Sequence, residues 1–173
     1  LVPDFPGKEN LSGRLSHDVK LPSNVFYMGP LSRFSMADRD APGMDLPHPY
    51  YCLILSGPEP QRSLLLDKAG RALHGIHLVV LSGTPVTCDL KDRPDITVIT
   101  NPDTEAMLHV ISGSSTVISR AGYTSVMELV SLGKGGVIIP TPGQTEQEYL
   151  GRFHDGRNGF VTLKQNKLEN LMK

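Results

Sequence analysis

The chain has 173 residues, 39% apolar and 20% charged, the proportions of a soluble globular chain with enough material to bury a core. Lys and Arg number 17 against 18 Asp and Glu, and the net charge of −1 gives no general pull toward nucleic acid or an anionic membrane. No apolar run approaches the ~20 residues of a membrane span, and the two cysteines, Cys52 and Cys88, exclude a disulfide scaffold and point to a reducing, cytoplasmic compartment.

The chain begins Leu1-Val2-Pro3 and is read as the C-terminal part of a longer protein. Residues 1–49 are broken by Pro3, Pro6, Gly7, Pro22, Gly29, Pro30, Pro42, Gly43, Pro47 and Pro49. They read as a loop-rich linker or a remnant of a preceding domain, with Val25–Met28 the one short strand candidate. The polar stretch Arg33–Asp45 reads as mobile.

From Tyr50 the pattern becomes regular, so residues 50–173 are taken as one domain. Short unalternating runs at Tyr50–Leu55, Ile76–Leu81, Ile96–Ile99, Thr116–Ser119 and Val137–Ile139 suit strands buried on both faces. Between them, Leu64–Leu66 with Ala69, Ala72 and Leu73, then Met107, Val110 and Ile111, then Val126, Leu129 and Val130, have helical spacing. Strand and helix alternate about every 20 residues, which predicts an α/β fold, a Rossmann-like doubly wound parallel sheet with right-handed crossovers. Ligands of such sheets sit beyond the carboxyl ends of the strands. The loops to search are those after Leu55, Ile99, Ser119 and Pro140.

The segment Ser119-Arg120-Ala121-Gly122-Tyr123-Thr124-Ser125-Val126-Met127-Glu128 leaves a strand, turns at Gly122 and enters a helix ending at Gly133. The N–H groups of Tyr123, Thr124 and Ser125 start that helix with no acidic residue to occupy them, a ready phosphate site. Glu128 can accept two hydrogen bonds at once, which suits a vicinal diol such as that of ribose. A plain strand-turn-helix with Glu128 solvated has equal weight on spacing alone.

In Pro140-Thr141-Pro142-Gly143-Gln144-Thr145-Glu146-Gln147-Glu148, Thr145 and Glu148 have capping-box spacing, while Gln144 and Gln147 have no evident local task. Their amides could serve sugar hydroxyls; solvated surface positions are the alternative. The turn Ser56-Gly57-Pro58-Glu59-Pro60-Gln61-Arg62 is weak as a phosphate loop, because it matches neither Gly-rich nucleotide motif and two prolines remove backbone donors. Arg62 could add charge there. Six scattered histidines and no Cys-x-x-Cys predict no metal site, and His17 and His154 read as surface residues.

A strand followed by SRAGYTSVMELVSLGK and VIIPTPGQTEQEY resembles the C-terminal, nucleotide-sugar-binding half of a GT-B glycosyltransferase of family 28, the family of the lipid II-forming N-acetylglucosaminyltransferase of peptidoglycan synthesis. The resemblance covers roughly residues 50–163. It implies that the N–H groups of Tyr123, Thr124 and Ser125 hold a diphosphate, that Glu128 binds ribose, and that Gln147 contacts the donor sugar. Asn101 to Thr104 would lie beside the uracil, and Arg33, at the end of Gly29-Pro30-Leu31-Ser32-Arg33, would reach a phosphate. Ser56, Gly57, Gln61, Ser119, Arg120, Gly122, Gly143, Gln144, Thr145 and Glu148 complete the expected donor site.

Three departures from the family stand out. Glu148 replaces a second Gln, SGPEPQ replaces a Gly-Gly-Ser-Gln-Gly-Ala turn, and the N-terminal domain that carries the acceptor site and the base is absent. The implied reaction is inverting, metal-independent transfer of a hexose-type sugar from UDP to an acceptor hydroxyl. UDP-sugar is then the donor substrate, no cofactor is required, and the acceptor is a sugar or a lipid-linked molecule bound through the missing domain. A nucleotide-sugar 2-epimerase of the same architecture and a non-catalytic nucleotide-binding module remain alternatives. The implied location is cytoplasmic, peripheral at the inner membrane face for the full-length protein.

Overall fold

A computed structural model describes residues 1–18, 20–34, 44–86 and 93–172. Six strands, β1 (Tyr50–Leu55), β2 (His77–Ser82), β3 (Ile96–Thr100), β4 (Thr116–Arg120), β5 (Gly136–Ile139) and β6 (Phe160–Thr162), form one sheet in the order β3-β2-β1-β4-β5-β6. All of its pairings are parallel. The helices are α1 (Gln61–Ala72), α2 (Thr104–Gly113), α3 (Tyr123–Ser131) and α4 (Thr145–His154), and a kinked 3-10 segment, Gln165–Met172, follows β6. This is the expected Rossmann-like sheet. The sixth strand was not anticipated: it has three residues, and its middle one, Val161, is exposed, so it lacks the continuous apolar signature of the others.

Alternate residues of each strand serve opposite cores, as the two-residue period requires. On one face Leu53, Leu55, Leu78, Val80 and Ile118 pack with Leu65, Leu66 and Ala69 of α1 and Leu168 of the C-terminal segment. On the other, Cys52, Val79, Leu81 and Val117 pack with Met107, Val110 and Ile111 of α2 and with Val126 and Leu129 of α3. Burial pushes the Cys52 thiol pKa far up, so it behaves as a small apolar group. Helix α3 ends in a Schellman motif: Gly133, at φ +62°, donates to Val130 O and Lys134 donates to Leu129 O.

Residues 1–18 and 20–34 are more ordered than their proline content predicts. Asp4 is fully buried and accepts hydrogen bonds from the N–H groups of Phe5, Leu11 and Ser12, from the Ser12 hydroxyl, and from His17 at 3.1 Å. Leu11 and Phe34 enter the α2/α3 core. The Val25–Met28 candidate is not a strand: Tyr27 makes one isolated bridge to Val2, while Phe26 and Met28 are exposed.

Neither histidine behaves as a surface residue. His17 stacks on Tyr27 beside Asp4, and His154 is fully buried, its Nε2 2.7 Å from Leu11 O. A carbonyl only accepts, so Nε2 carries the hydrogen. In the Arg33–Asp45 stretch, Arg33 and Phe34 are held against the domain, and positions 35–43 lie outside the described residues, as does Cys88.

Candidate donor-binding cleft

The strand order reverses between β1 and β4, so the chain leaves these neighbours toward opposite faces and a crevice opens beyond their carboxyl ends. A cleft of about 480 Å³ occupies that position. It is lined by Ser56 and Gly57 after β1, Asn101 after β3, Arg120, Gly122, Tyr123, Thr124, Ser125 and Glu128 around α3, Gln147 of α4, and Arg33 from the N-terminal segment. Eleven expected residues are thus brought together.

The start of α3 differs from its neighbours. At α1, the Glu59 carboxylate accepts from Ser63 N–H. At α2, Asp103 caps by accepting from Ala106 N–H at 2.8 Å. At α4, Glu146 and Glu148 occupy the first turn and Glu148 accepts from Gly143 N–H at 3.0 Å. Helix α3 begins after Gly122 with no side-chain cap and no acid in its first turn. Its N–H groups and the positive end of its dipole face the cleft.

Glu128 is nine-tenths buried, and its Oε1 accepts from Arg33 Nε at 2.7 Å. A second Arg33 nitrogen lies 3.4 Å from Met107 Sδ. The residues expected to take ribose and phosphate are therefore bonded to each other. Tyr123 contributes its backbone to the cleft, while its hydroxyl donates to Pro3 O at 2.7 Å. Burial and the nearby Asp4 raise the pKa of that hydroxyl, so it stays protonated and acts as a tether. Asn101 takes φ +51°, a conformation that asparagine tolerates, and donates its N–H to Ser82 O.

The other expected residues have different tasks. Ser119 is fully buried and donates to Arg120 O. Arg120 borders the cleft, but its guanidinium is committed inside the protein, to Gln165 Oε1 and Gln61 O, each at 2.6 Å. Burial lowers its pKa to about 10, which leaves it charged at neutral pH. Gln61 belongs to this lock, which ties the C-terminal segment to α1, and it does not line the cleft. Thr104 is exposed on α2, outside the cleft.

The Thr145–Glu148 capping box does not form, because the helix starts one residue earlier: Gln144 is the N-cap and Thr145 the first helical residue. Gln144 and Gln147 do have local tasks. Gln147 Nε2 donates to Gln144 Oε1, and Gln147 Oε1 accepts from Thr141 N–H at 2.9 Å. Gly143, Gln144, Thr145 and Glu148 lie outside the cleft. Arg62 is paired with Glu59 and Thr84 and lies outside it too.

Sequence reasoning missed Ser82 and Gly83 after β2, and Met107, all of which line the cleft. The Ser-Gly pair closing the second apolar run was a usable signal. What it lacked was the sheet order that sets β2 beside β1.

The model of the glycosyltransferase family 28 C-terminal domain matches residues 64–169. A UDP-N-acetylglucosamine--N-acetylmuramyl-(pentapeptide) pyrophosphoryl-undecaprenol N-acetylglucosamine transferase of Bacillus thuringiensis (strain Al Hakam) is 47% identical over 76 residues, 44% of this chain and 19% of the relative. One from Bacillus cytotoxicus is 42% identical over 83 residues, 48% of this chain and 21% of the relative. The matches thus span about a fifth of those relatives' length. Among solved structures, the glycotransferase of kitacinnamycin gives a TM-score of 0.57 at 17% identity, covering 81% of this chain and 36% of that one. Acinetobacter baumannii MurG gives 0.52 at 17%, covering 87% and 48%. These likenesses establish the GT-B type of fold. With the family model spanning more than half of its length, the chain belongs to glycosyltransferase family 28 as a C-terminal domain.

Proposed function

We propose that this domain binds the UDP-sugar donor of an inverting, metal-independent hexosyltransferase acting on an acceptor hydroxyl. The observation that carries this reading is the start of α3, which has neither a side-chain cap nor an acid in its first turn and lines the cleft. The relatives' names, transferases acting from UDP-N-acetylglucosamine to a pyrophosphoryl-undecaprenol acceptor, support the donor and acceptor classes.

Negative charge builds on the diphosphate as the sugar departs. Donors aimed at the leaving group, from Tyr123, Thr124 and Ser125, stabilise that charge, and one such donor is worth about 2.7–4 kcal/mol in other enzymes. Ribose hydroxyls take over the Glu128 carboxylate and displace Arg33, whose guanidinium then turns to the diphosphate. After the exchange the Glu128 carboxylate accepts hydrogen bonds from the ribose hydroxyls and the Arg33 guanidinium is paired with the diphosphate. Among the described residues Gln147 keeps one amide hydrogen uncommitted, which is available for the sugar. UDP-sugar is the donor substrate, no cofactor enters, and the acceptor and the base belong to a preceding domain, so the 173-residue chain transfers nothing by itself. The full protein works in the cytoplasm at the membrane face. Among the described residues no helix is long and apolar enough to cross a membrane.

Calorimetric titration with UDP, ADP and NAD tests this. UDP alone is expected to bind, and Glu128→Ala to lose that binding. Equal affinity for ADP or NAD would sink the donor assignment, and sugar transfer by the purified chain would sink the claim that it is incomplete.

A further inference from the structure

A second cleft, of about 600 Å³, lies on the other side of the β5–α4 loop, between α1, α4, the end of β6 and the C-terminal segment. None of its lining residues lines the donor cleft. The two are separated by adjacent residues of one helix turn, Gln147 facing the donor cleft and Glu148 the second. We propose that this cleft binds a phosphate-bearing ligand through Lys68, Arg152 and Lys164.

Arg33, Arg62, Arg71 and Arg93 each sit in an ion pair with a carboxylate. Lys68, Arg152 and Lys164 come from three different elements, line one concavity, and have no ion-pair partner among the described residues. Arg152 has an acid at the favourable i−4 position, yet Glu148 gives its Oε1 to Gly143 N–H instead. Three cations against one carboxylate leave a net positive concavity, which favours an anionic phosphate group. The fork of Arg152 can bind two of its oxygens while the lysines act as point charges. Pro140 and Pro142 supply an apolar wall, and the volume falls in the range of organic ligand sites. The ligand is therefore an organic molecule carrying phosphate, whether a free metabolite or a lipid headgroup.

The test is titration of the 15N-labelled 173-residue chain with inorganic pyrophosphate, alone and with UDP present. Flotation with vesicles of phosphatidylglycerol or phosphatidylcholine runs in parallel. Saturable shifts around Arg152 and Lys164 that persist with UDP present, weakened at least tenfold in Lys68→Ala/Arg152→Ala/Lys164→Ala, would establish a site for free phosphate compounds. Retention on phosphatidylglycerol vesicles only, lost in the same variant, would establish the headgroup as the source. The idea is overturned if pyrophosphate shifts only amides at the start of α3, or if the variant binds pyrophosphate and vesicles as the parent chain does. Arg152→Gln alone replaces the triple variant should that fail to fold, with a threefold or larger loss expected. These outcomes do not depend on whether UDP binds the first cleft.

Discussion

The loops entering α3 and α4 leave adjacent strands of one sheet and turn at a glycine before a helix, yet they end in opposite states. Around α4 the polar groups are consumed locally: Gln147 holds Thr141 N–H and Gln144, and Glu148 holds Gly143 N–H. At α3 no side chain does this, and the helix's own carboxylate, Glu128, sits a turn further on and accepts from Arg33. A helix end without a cap forfeits about 1 kcal/mol. A fold that caps α2 with Asp103 and leaves α3 bare forgoes that stability where an anionic ligand can supply the missing partner.

The sharpest way to break this contrast is to give α3 the cap that α2 has. Gly122 has extended backbone angles, and a Cβ there meets nothing within 4 Å, so Gly122→Asp fits without strain. The variant should unfold at higher temperature, gaining about 0.5–1 kcal/mol, while UDP affinity drops at least a hundredfold in calorimetry. Rising stability with unchanged affinity would mean that the bare helix end holds no phosphate. Next in size, if Glu128 takes two charge-assisted hydrogen bonds from ribose as proposed, Glu128→Ala should cost about 2–4 kcal/mol of UDP binding. Because the change also releases Arg33, Arg33→Ala should cost less affinity than Glu128→Ala, and the double variant should not be additive.

The parallel sheet was legible because its strands are buried on both faces and therefore read as unbroken runs of Val, Ile and Leu. The limits of β1 to β5 fall within one residue of the expected ones. The open start of α3 was legible for a similar reason: the lack of acids between Gly122 and Val126 is a local property. What stayed hidden depends on partners far along the chain. Arg120 reads as a ligand residue in its motif, yet its guanidinium finds Gln165, 45 positions later. His154 reads as solvated until Leu11, 143 positions earlier, supplies a carbonyl. The N-terminal segment folds through a single carboxylate, Asp4, which no periodicity announces.

Arg120 gives the next test, since it separates a motif residue that binds from one that builds. Arg120→Met leaves Gln61 O and the Gln165 amide without their charged partner, so the chain should lose about 2–4 kcal/mol of stability in urea unfolding. UDP affinity, measured well below the melting temperature, should change less than threefold. A loss of affinity as large as that of Glu128→Ala would return Arg120 to the donor site.

The smallest effect concerns the tie between helices α3 and α4. The N-terminal segment touches both, through Pro3 O on Tyr123 of α3 and through Leu11 O and Arg14 N–H on His154 and Tyr149 of α4. Burial lowers the His154 pKa below its ordinary 6.5, and its buried Nδ1 has no hydrogen-bond partner among the described residues. Unfolded, the ring protonates near 6.5; folded, it resists, so its contribution is complete above that pH and is lost as pH falls below it. At Asp4 burial pushes the pKa up, but the hydrogen bonds from Ser12, Leu11 and Phe5 outweigh it and hold the carboxyl below its ordinary 3.8. That contribution is complete above 3.8 and is lost as pH falls further. Acid should therefore release the segment in two stages, the histidine first, with the melting temperature falling about 2–4 °C for each kcal/mol lost. His154→Phe, between the rings of Phe153 and Phe160, should flatten the first stage and leave the second. If UDP affinity weakens over the same pH interval as the first stage, the segment sets the geometry of α3 as well as its stability; if affinity holds while the segment loosens, the bare helix end alone makes the site.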